Sequence, residues 1–175
     1  MNIAVVSYSM TGNNEALALS VTQKLTAEHI SITETKKRTM GKIVGDLLLG
    51  RTPRIQQTPE RIDGYDKVLL VGPVWMGCAA TPLRPYLKQL KKTHKNYAYA
   101  SISGGADGPN PKLISDLTKR TGYEPFALVD LHIADLLPAE PKPARKDTSA
   151  YKVSKDEIES LSESVIKALT EKLNQ

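Results

Sequence analysis

The chain has 175 residues, 40% apolar and 25% charged, with 24 Lys and Arg against 19 Asp and Glu for a formal charge of +5. That length and balance suit one soluble globular domain spanning residues 1–175 with a core of its own, and they exclude a disordered chain. Cys78 is the only cysteine, which excludes an intramolecular disulfide and a cysteine metal cluster.

No apolar stretch approaches the length of a membrane span, and the apolar run at residues 3–6 is far too short for a signal peptide. A cytoplasmic location without a membrane partner is therefore expected. The basic residues fall in short clusters (Lys36-Lys37-Arg38, Lys91-Lys92 and residues 142–146) with no interleaved aromatics. They read as solvated surface, not as a nucleic-acid interface.

Residues 2–8 read as a buried strand, and residues 14–28 as a helix with Leu17, Val21 and Leu25 on one face. A weaker strand is expected over 29–34 and a short helix over 42–49, carrying Ile43, Leu47 and Leu48. A loop with two prolines covers 50–66, and 67–72 is the strongest strand in the chain. Thr81 as N-cap and Pro82 in the first turn open a helix lined by Leu83, Leu87 and Leu90. A strand over 97–103 precedes a helix over 111–121 that stops at Gly122, and residues 126–137 hold the last strand. Residues 138–151, with three prolines and many charges, read as a surface linker. The final helix starts at a capping box of Ser154 and Glu157 and buries Ile158, Leu161, Val165, Leu169 and Leu173.

Five strands alternating with helices imply a parallel sheet covered on both faces, with every strand's C-terminal end on one edge. Ligands bind at that edge near the switch in strand order, so the loops after the first, third and fourth strands carry the functional expectation. The first holds Ser9, Met10, Thr11, Gly12, Asn13 and Asn14 and leads into a helix. Its hydroxyls, amides and helix N-terminus form an anion site without a Lys or Arg of its own. It lacks the Gly-Lys-Ser/Thr ending of a P-loop and the three-glycine fingerprint of a dinucleotide turn, which narrows the anion to a phosphate monoester.

The second loop holds Pro73, Val74, Trp75, Met76 and Gly77, and places the chain's one Trp where a strand ends, suited to offer a flat face to a planar ligand. The third holds Ser103, Gly104 and Gly105, followed by Gly108, and exposes backbone groups to the polar edge of a heterocycle. Phosphate, aromatic face and backbone donors on one edge together describe an FMN site.

With these loops the sequence resembles the flavodoxin family. The stretch at 9–14 is similar to that family's Ser/Thr-x-Thr-Gly-Asn-Thr phosphate loop, with Asn14 in the last position. Tyr65-Asp66-Lys67-Val68 through Trp75-Met76-Gly77 resembles its strand and first flavin loop, and Ser103-Gly104-Gly105 its second. The resemblance covers nearly the whole chain and implies a flavodoxin-like three-layer α/β sandwich. Its five-stranded parallel sheet would run in the order 2-1-3-4-5, in the short-chain layout, with FMN as cofactor.

It implies flavin-mediated electron transfer, with the carbonyl near Met76-Gly77 meeting flavin N5. The second flavin loop has no Tyr or Trp, and the chain is basic, unlike the acidic low-potential carriers of that family. An NAD(P)H-dependent FMN reductase of quinones or similar acceptors is the alternative. The partners expected are a redox protein or a small-molecule acceptor, with NAD(P)H as a candidate reductant, and the chain is expected as a monomer or homodimer. Cys78 reads as a buried thiol, His29, His94 and His132 as scattered, and Asp107 and Asp130 as isolated carboxylates. No nucleophile–base pair or metal motif emerges.

Overall fold

The computed structural model describes residues 2–35 and 39–173; the predicted basic cluster at 36–38 lies outside them. Five strands, β1 (Ile3–Ser7), β2 (Glu28–Ser31), β3 (Lys67–Val71), β6 (Tyr97–Ser103) and β7 (Ala127–His132), form one parallel sheet in the order β2-β1-β3-β6-β7. Counted among the sheet strands alone, that order is the expected 2-1-3-4-5. The two labels skipped belong to a separate antiparallel hairpin of β4 (Val74–Trp75) and β5 (Cys78–Ala79).

Alternation along the strands sorts their side chains onto two faces. Ala4, Val6, Val68, Leu70, Tyr97 and Tyr99 point to one face and Val5, Leu69, Val71, Ala98, Ala100 and Ile102 to the other, all of them buried. The first face is covered by α3 (Arg84–Thr93) and α4 (Leu113–Thr121) through Tyr86, Leu87, Leu90, Leu113 and Leu117. The second is covered by α1 (Asn13–Leu25) and α6 (Lys155–Leu173) through Leu17, Val21, Ile158, Val165 and Leu169. Each fully buried side chain of this size stabilises the fold by about 1.5–3 kcal/mol. The remaining helices are α2 (Met40–Leu48) and α5 (Arg145–Ala150).

Four local expectations change. The first helix ends at Leu25, three residues early, because Thr26 turns left-handed at φ 49° and Ala27 N–H closes onto the Thr22 carbonyl at 3.0 Å. Thr81 does not cap a helix: it lies inside a short 3₁₀ turn, Thr81–Leu83, with its hydroxyl buried and unpartnered among the described residues. The loop over 50–66 contains a further 3₁₀ turn, Pro59–Ile62, closed over buried Ile62. The stretch read as a linker contains α5, whose Thr148 is buried.

The capping box at the last helix forms as expected: Ser154 N–H donates to the Glu157 carboxylate at 2.6 Å and Glu157 N–H to Ser154 Oγ at 3.3 Å. Among the described residues no helix is long and apolar enough to cross a membrane.

Candidate functional site

The strand order reverses at β1, so the loops after β1 and β3 diverge around a crevice at the C-terminal edge. Gly12 closes the first loop as the residue before α1, at φ 98°, and a Cβ there would meet nothing within 4 Å. The approach to this helix start is therefore open. Gly12 N–H donates to Ser9 Oγ at 3.0 Å.

The side chains of Asn13 and Asn14 are used elsewhere. Asn14 Nδ2 donates to the Ile102 carbonyl and its Oδ1 accepts from Ile102 N–H, both at 2.9 Å, in a buried clasp onto β6. Asn13 Nδ2 donates to the Tyr151 carbonyl at 3.0 Å, and its Oδ1 accepts from Val153 N–H at 3.2 Å. What these two residues offer an anion is their backbone N–H, which the first turn of a helix leaves without an intrahelical acceptor.

The clasp on Asn13 brings the C-terminal region to this loop. Lys152 Nζ donates to the Thr11 carbonyl, which sets an ammonium group at the mouth of a loop without a cation of its own. Lys152 is 141 residues away in sequence. No signal local to the loop could have found it, although the adjoining capping box does mark where the final helix begins.

After β3, Tyr99 OH donates to the Gly72 carbonyl at 3.0 Å and fixes the loop's first turn. A Cβ at Gly72 would lie 2.7 Å from Leu83 Cδ1, so the position needs glycine for close approach. Met76 and Gly77 form the two-residue turn of the β4–β5 hairpin, with φ of 53° and 79°, matching the twist of paired strands. Met76 is 71% exposed in this left-handed conformation, a strain of about 1–3 kcal/mol of the kind kept at ligand sites. Trp75 is half-buried, its ring set edge-on to Tyr8 at 5.8 Å and 88°. It packs partly on the core as well as standing beside the crevice.

The loop after β6 is held from below by Asp130 of β7. Its Oδ1 accepts from Ser101 Oγ at 2.5 Å, and its Oδ2 from Asn110 Nδ2 at 2.8 Å, with His132 Nε2 at 3.0 Å. Asp130, expected as isolated, and His132, expected as scattered, are thus one cluster under the glycine loop, and Asp107 is likewise paired, to Arg145 Nε at 2.8 Å. Gly105 sits at φ 72°, and a Cβ there would come within 2.4 Å of His132 Cβ. A Cβ at Gly104 would meet Thr148 Oγ1 at 3.0 Å.

A cavity of about 380 Å³ brings together Val74, Met76, Gly77, Ser103, Gly104 and Gly105, with Arg145 and Thr148 on its wall. The 9–14 loop and Trp75 are not in its lining. The chain from Thr148 to Lys152 connects the two regions, touching Gly104 at one end and Thr11 at the other. Sequence reasoning missed Arg145 and Thr148 because it read 138–151 as a surface linker, and Lys152 because it falls between that stretch and the final helix.

Cys78, expected as buried, is half-buried, and that partial burial and then the Asp116 carboxylate push its thiol above its ordinary value, which keeps it protonated at neutral pH. Among the described residues no three His, Cys, Asp or Glu side chains gather into a metal site.

No protein-family model matches the chain, and no curated protein sequence matches it. Solved structures do. A flavoprotein in complex with FMN from Lactobacillus acidophilus NCFM is 19% identical with a TM-score of 0.61, over 75% of this chain and 91% of that one. A flavodoxin from Streptococcus pneumonia TIGR4 is 14% identical with a TM-score of 0.52, over 94% and 98%. The flavodoxin, WrbA-like protein from Agrobacterium tumefaciens is 13% identical with a TM-score of 0.52, over 99% of each chain. At these identities the likeness is one of architecture, and together with the strand order it establishes that this chain has the flavodoxin-like fold.

Proposed function

We propose that the chain binds FMN and uses it for electron transfer. The observation that carries this reading is the 9–14 loop. It is an open helix start with a left-handed glycine, clasped to the sheet by Asn14, with Lys152 brought to its mouth. The L. acidophilus structure of the same fold holds FMN, which supports the choice of anion.

These residues suit the group chemically. Neutral donors at Ser9, Thr11 and the backbone from Gly12 to Asn14 would hold the phosphate, with Lys152 balancing its charge. The Met76-Gly77 turn would border the ring on one side and Ser103 to Gly105 on the other, with Trp75 outside that cavity's lining. Bound FMN supplies the electron chemistry, passing one electron or two. The chain's own work is to orient the ring, limit water around it and set the charge nearby. Asp130 keeps the glycine loop in place from beneath.

Fluorescence of added FMN tests the reading directly. Stoichiometric quenching by the purified protein is expected, with weaker quenching of riboflavin, which lacks the phosphate. A protein that quenches neither does not bind flavin here.

A second reading, an NAD(P)H-dependent reductase of quinones or similar acceptors, has its own support. The cavity beside Met76 and Gly104 has no aromatic side chain from the glycine loop, and Lys112 stands on its wall beside the Arg145–Asp107 ion pair. That leaves space and positive charge for an anionic nucleotide reductant. Stopped-flow mixing with NADPH and NADH separates the two: flavin bleaching within seconds supports the reductase, and none over minutes supports the carrier.

A further inference from the structure

A second basic cavity lies away from the glycine loops, between the end of α2 and the outer sides of α3 and α4. It is open to solvent on one side, with a volume of about 660 Å³, and Thr52, Arg84, Lys88, Asp116, Lys119 and Arg120 line it. Its walls hold four cationic side chains and one carboxylate. Both oxygens of that carboxylate are committed. Asp116 Oδ1 accepts from Arg120 Nε at 2.8 Å, and Oδ2 from Ala79 N–H at 3.1 Å. Arg84, Lys88 and Lys119 form no ion pair among the described residues, although the Asp116 and Asp46 carboxylates act on Arg84 from a distance.

Arg84 is the unusual member. It is only 6% exposed, and its Nη1 donates to the carbonyls of Asp46 at 3.2 Å and Arg51 at 2.6 Å. Those bonds hold the guanidinium rigidly at the cavity wall. Its Nε is buried with no acceptor among the described residues. A buried guanidinium whose hydrogen bonds go only to neutral carbonyls is costly, and a buried N–H without an acceptor adds to that cost. Burial, and then the like charge of Arg120, lower the Arg84 pKa, with Asp116, Cys78 and Asp46 opposing. The arrangement is short of an anion. Surface repulsion alone would splay exposed Lys88 and Lys119 apart, but it would not sequester an arginine.

We propose that this cavity is a second anion site that binds the phosphate of a small organic ligand, with Arg84 at its base and Lys88, Lys119 and Arg120 at its rim. The volume lies within the range of nucleotide and cofactor pockets and exceeds the needs of a free inorganic ion. Nη1 of the fixed guanidinium is spent on two carbonyls and Nε is buried, so Arg84 offers a phosphate oxygen its Nη2 and its charge. The cavity shares α4 with the first one: Lys112, before the helix start, lines the first cavity and Lys119 the second, about 10 Å apart along the helix. The two sites are neighbours but distinct, and this inference stands whether or not the chain binds FMN.

Isothermal titration of the full chain with adenosine 5′-diphosphate, with and without saturating FMN, tests it, with adenosine as the uncharged control. The expected result is one ADP per chain in both conditions, no heat from adenosine, and weaker binding as salt rises from about 50 to about 300 mM. Lys88→Gln with Lys119→Gln, both exposed and outside the core, should lower ADP affinity about tenfold or more while leaving FMN quenching unchanged. Arg84→Lys should lower it further, with a melting curve to report its fold.

Three results overturn the proposal. One is no ADP heat at about 1 mM ligand. Another is ADP heat abolished by FMN, which would put the phosphate at the 9–14 loop. The third is ADP binding unmoved by the double lysine substitution.

Discussion

The loop after β1 and the loop after β6 differ in where their support comes from. The first is clasped from two directions by the side chains of its own asparagines, Asn14 onto β6 and Asn13 onto the segment before α6. The second turns on its own Gly108 N–H to Gly105 carbonyl bond at 2.8 Å, and is anchored where Asn110 donates to Asp130 of the neighbouring strand and Thr148 of α5 closes on Gly104. Asn14, at the start of α1, reaches out to β6, whereas Asp130 of β7 reaches in to the loop. The contrast teaches that this edge is a coupled assembly. The first loop's geometry depends on β6, and its charge is imported from the C-terminal region through Lys152.

The most severe way to break that coupling is Asn14→Ala. It removes two buried bonds and leaves the Ile102 N–H and carbonyl without those partners. A loss of about 2–4 kcal/mol is expected in urea unfolding, together with weaker FMN quenching. Gly105→Ala attacks the second loop alone. Its Cβ would crowd His132 at a backbone conformation that suits glycine, for a loss of about 1–3 kcal/mol. FMN and riboflavin should both bind more weakly, because the damage falls on the ring side.

Lys152→Ala isolates the imported charge. It should weaken FMN about fivefold, leave riboflavin unchanged and hardly move the melting temperature, with Lys152→Arg restoring most of the loss. Equal losses for FMN and riboflavin would mean that the segment shapes the site without serving the phosphate.

The smallest expected effect is a pH dependence at the helix that carries this segment. The Tyr151 hydroxyl, then the backbone and side chain of Ser154, hold the Glu157 carboxyl below its ordinary value of 4.5. A depressed folded-state pKa contributes stability that is complete above the ordinary value and is lost as pH falls through the folded one. Stability measured downward from pH 6 should therefore fall slightly less steeply in Glu157→Gln than in the parent. Identical pH profiles would show that the capping box contributes no proton linkage.

Much of the architecture was legible from local pattern. The strand at 97–103 was read to its ends, and the capping box was read to its two residues, because each rests on neighbours within a few positions. The early end of α1 and the helix inside the proline-rich stretch were not legible. Thr26 has no sequence mark of a left-handed residue, and six residues of α5 are too few for a periodic signal. The three loops were found by composition, and the fold brings the second and third to one cavity.

What the sequence by itself determined is the alternation that makes a parallel sheet and the residue chemistry of its loops. Continuous short apolar runs must bury both faces of their strands, and Gly, Asn and Ser cluster where chains turn near ligands. What only the tertiary structure decided is which distant groups complete those loops. Lys152 meets Thr11, Asp130 supports Asn110, and Arg84 closes a basic cavity with residues of α4. The physical reason is one of range. Local patterning follows from sterics and burial over a few residues, whereas charge pairing acts through space between residues that no sequence period relates.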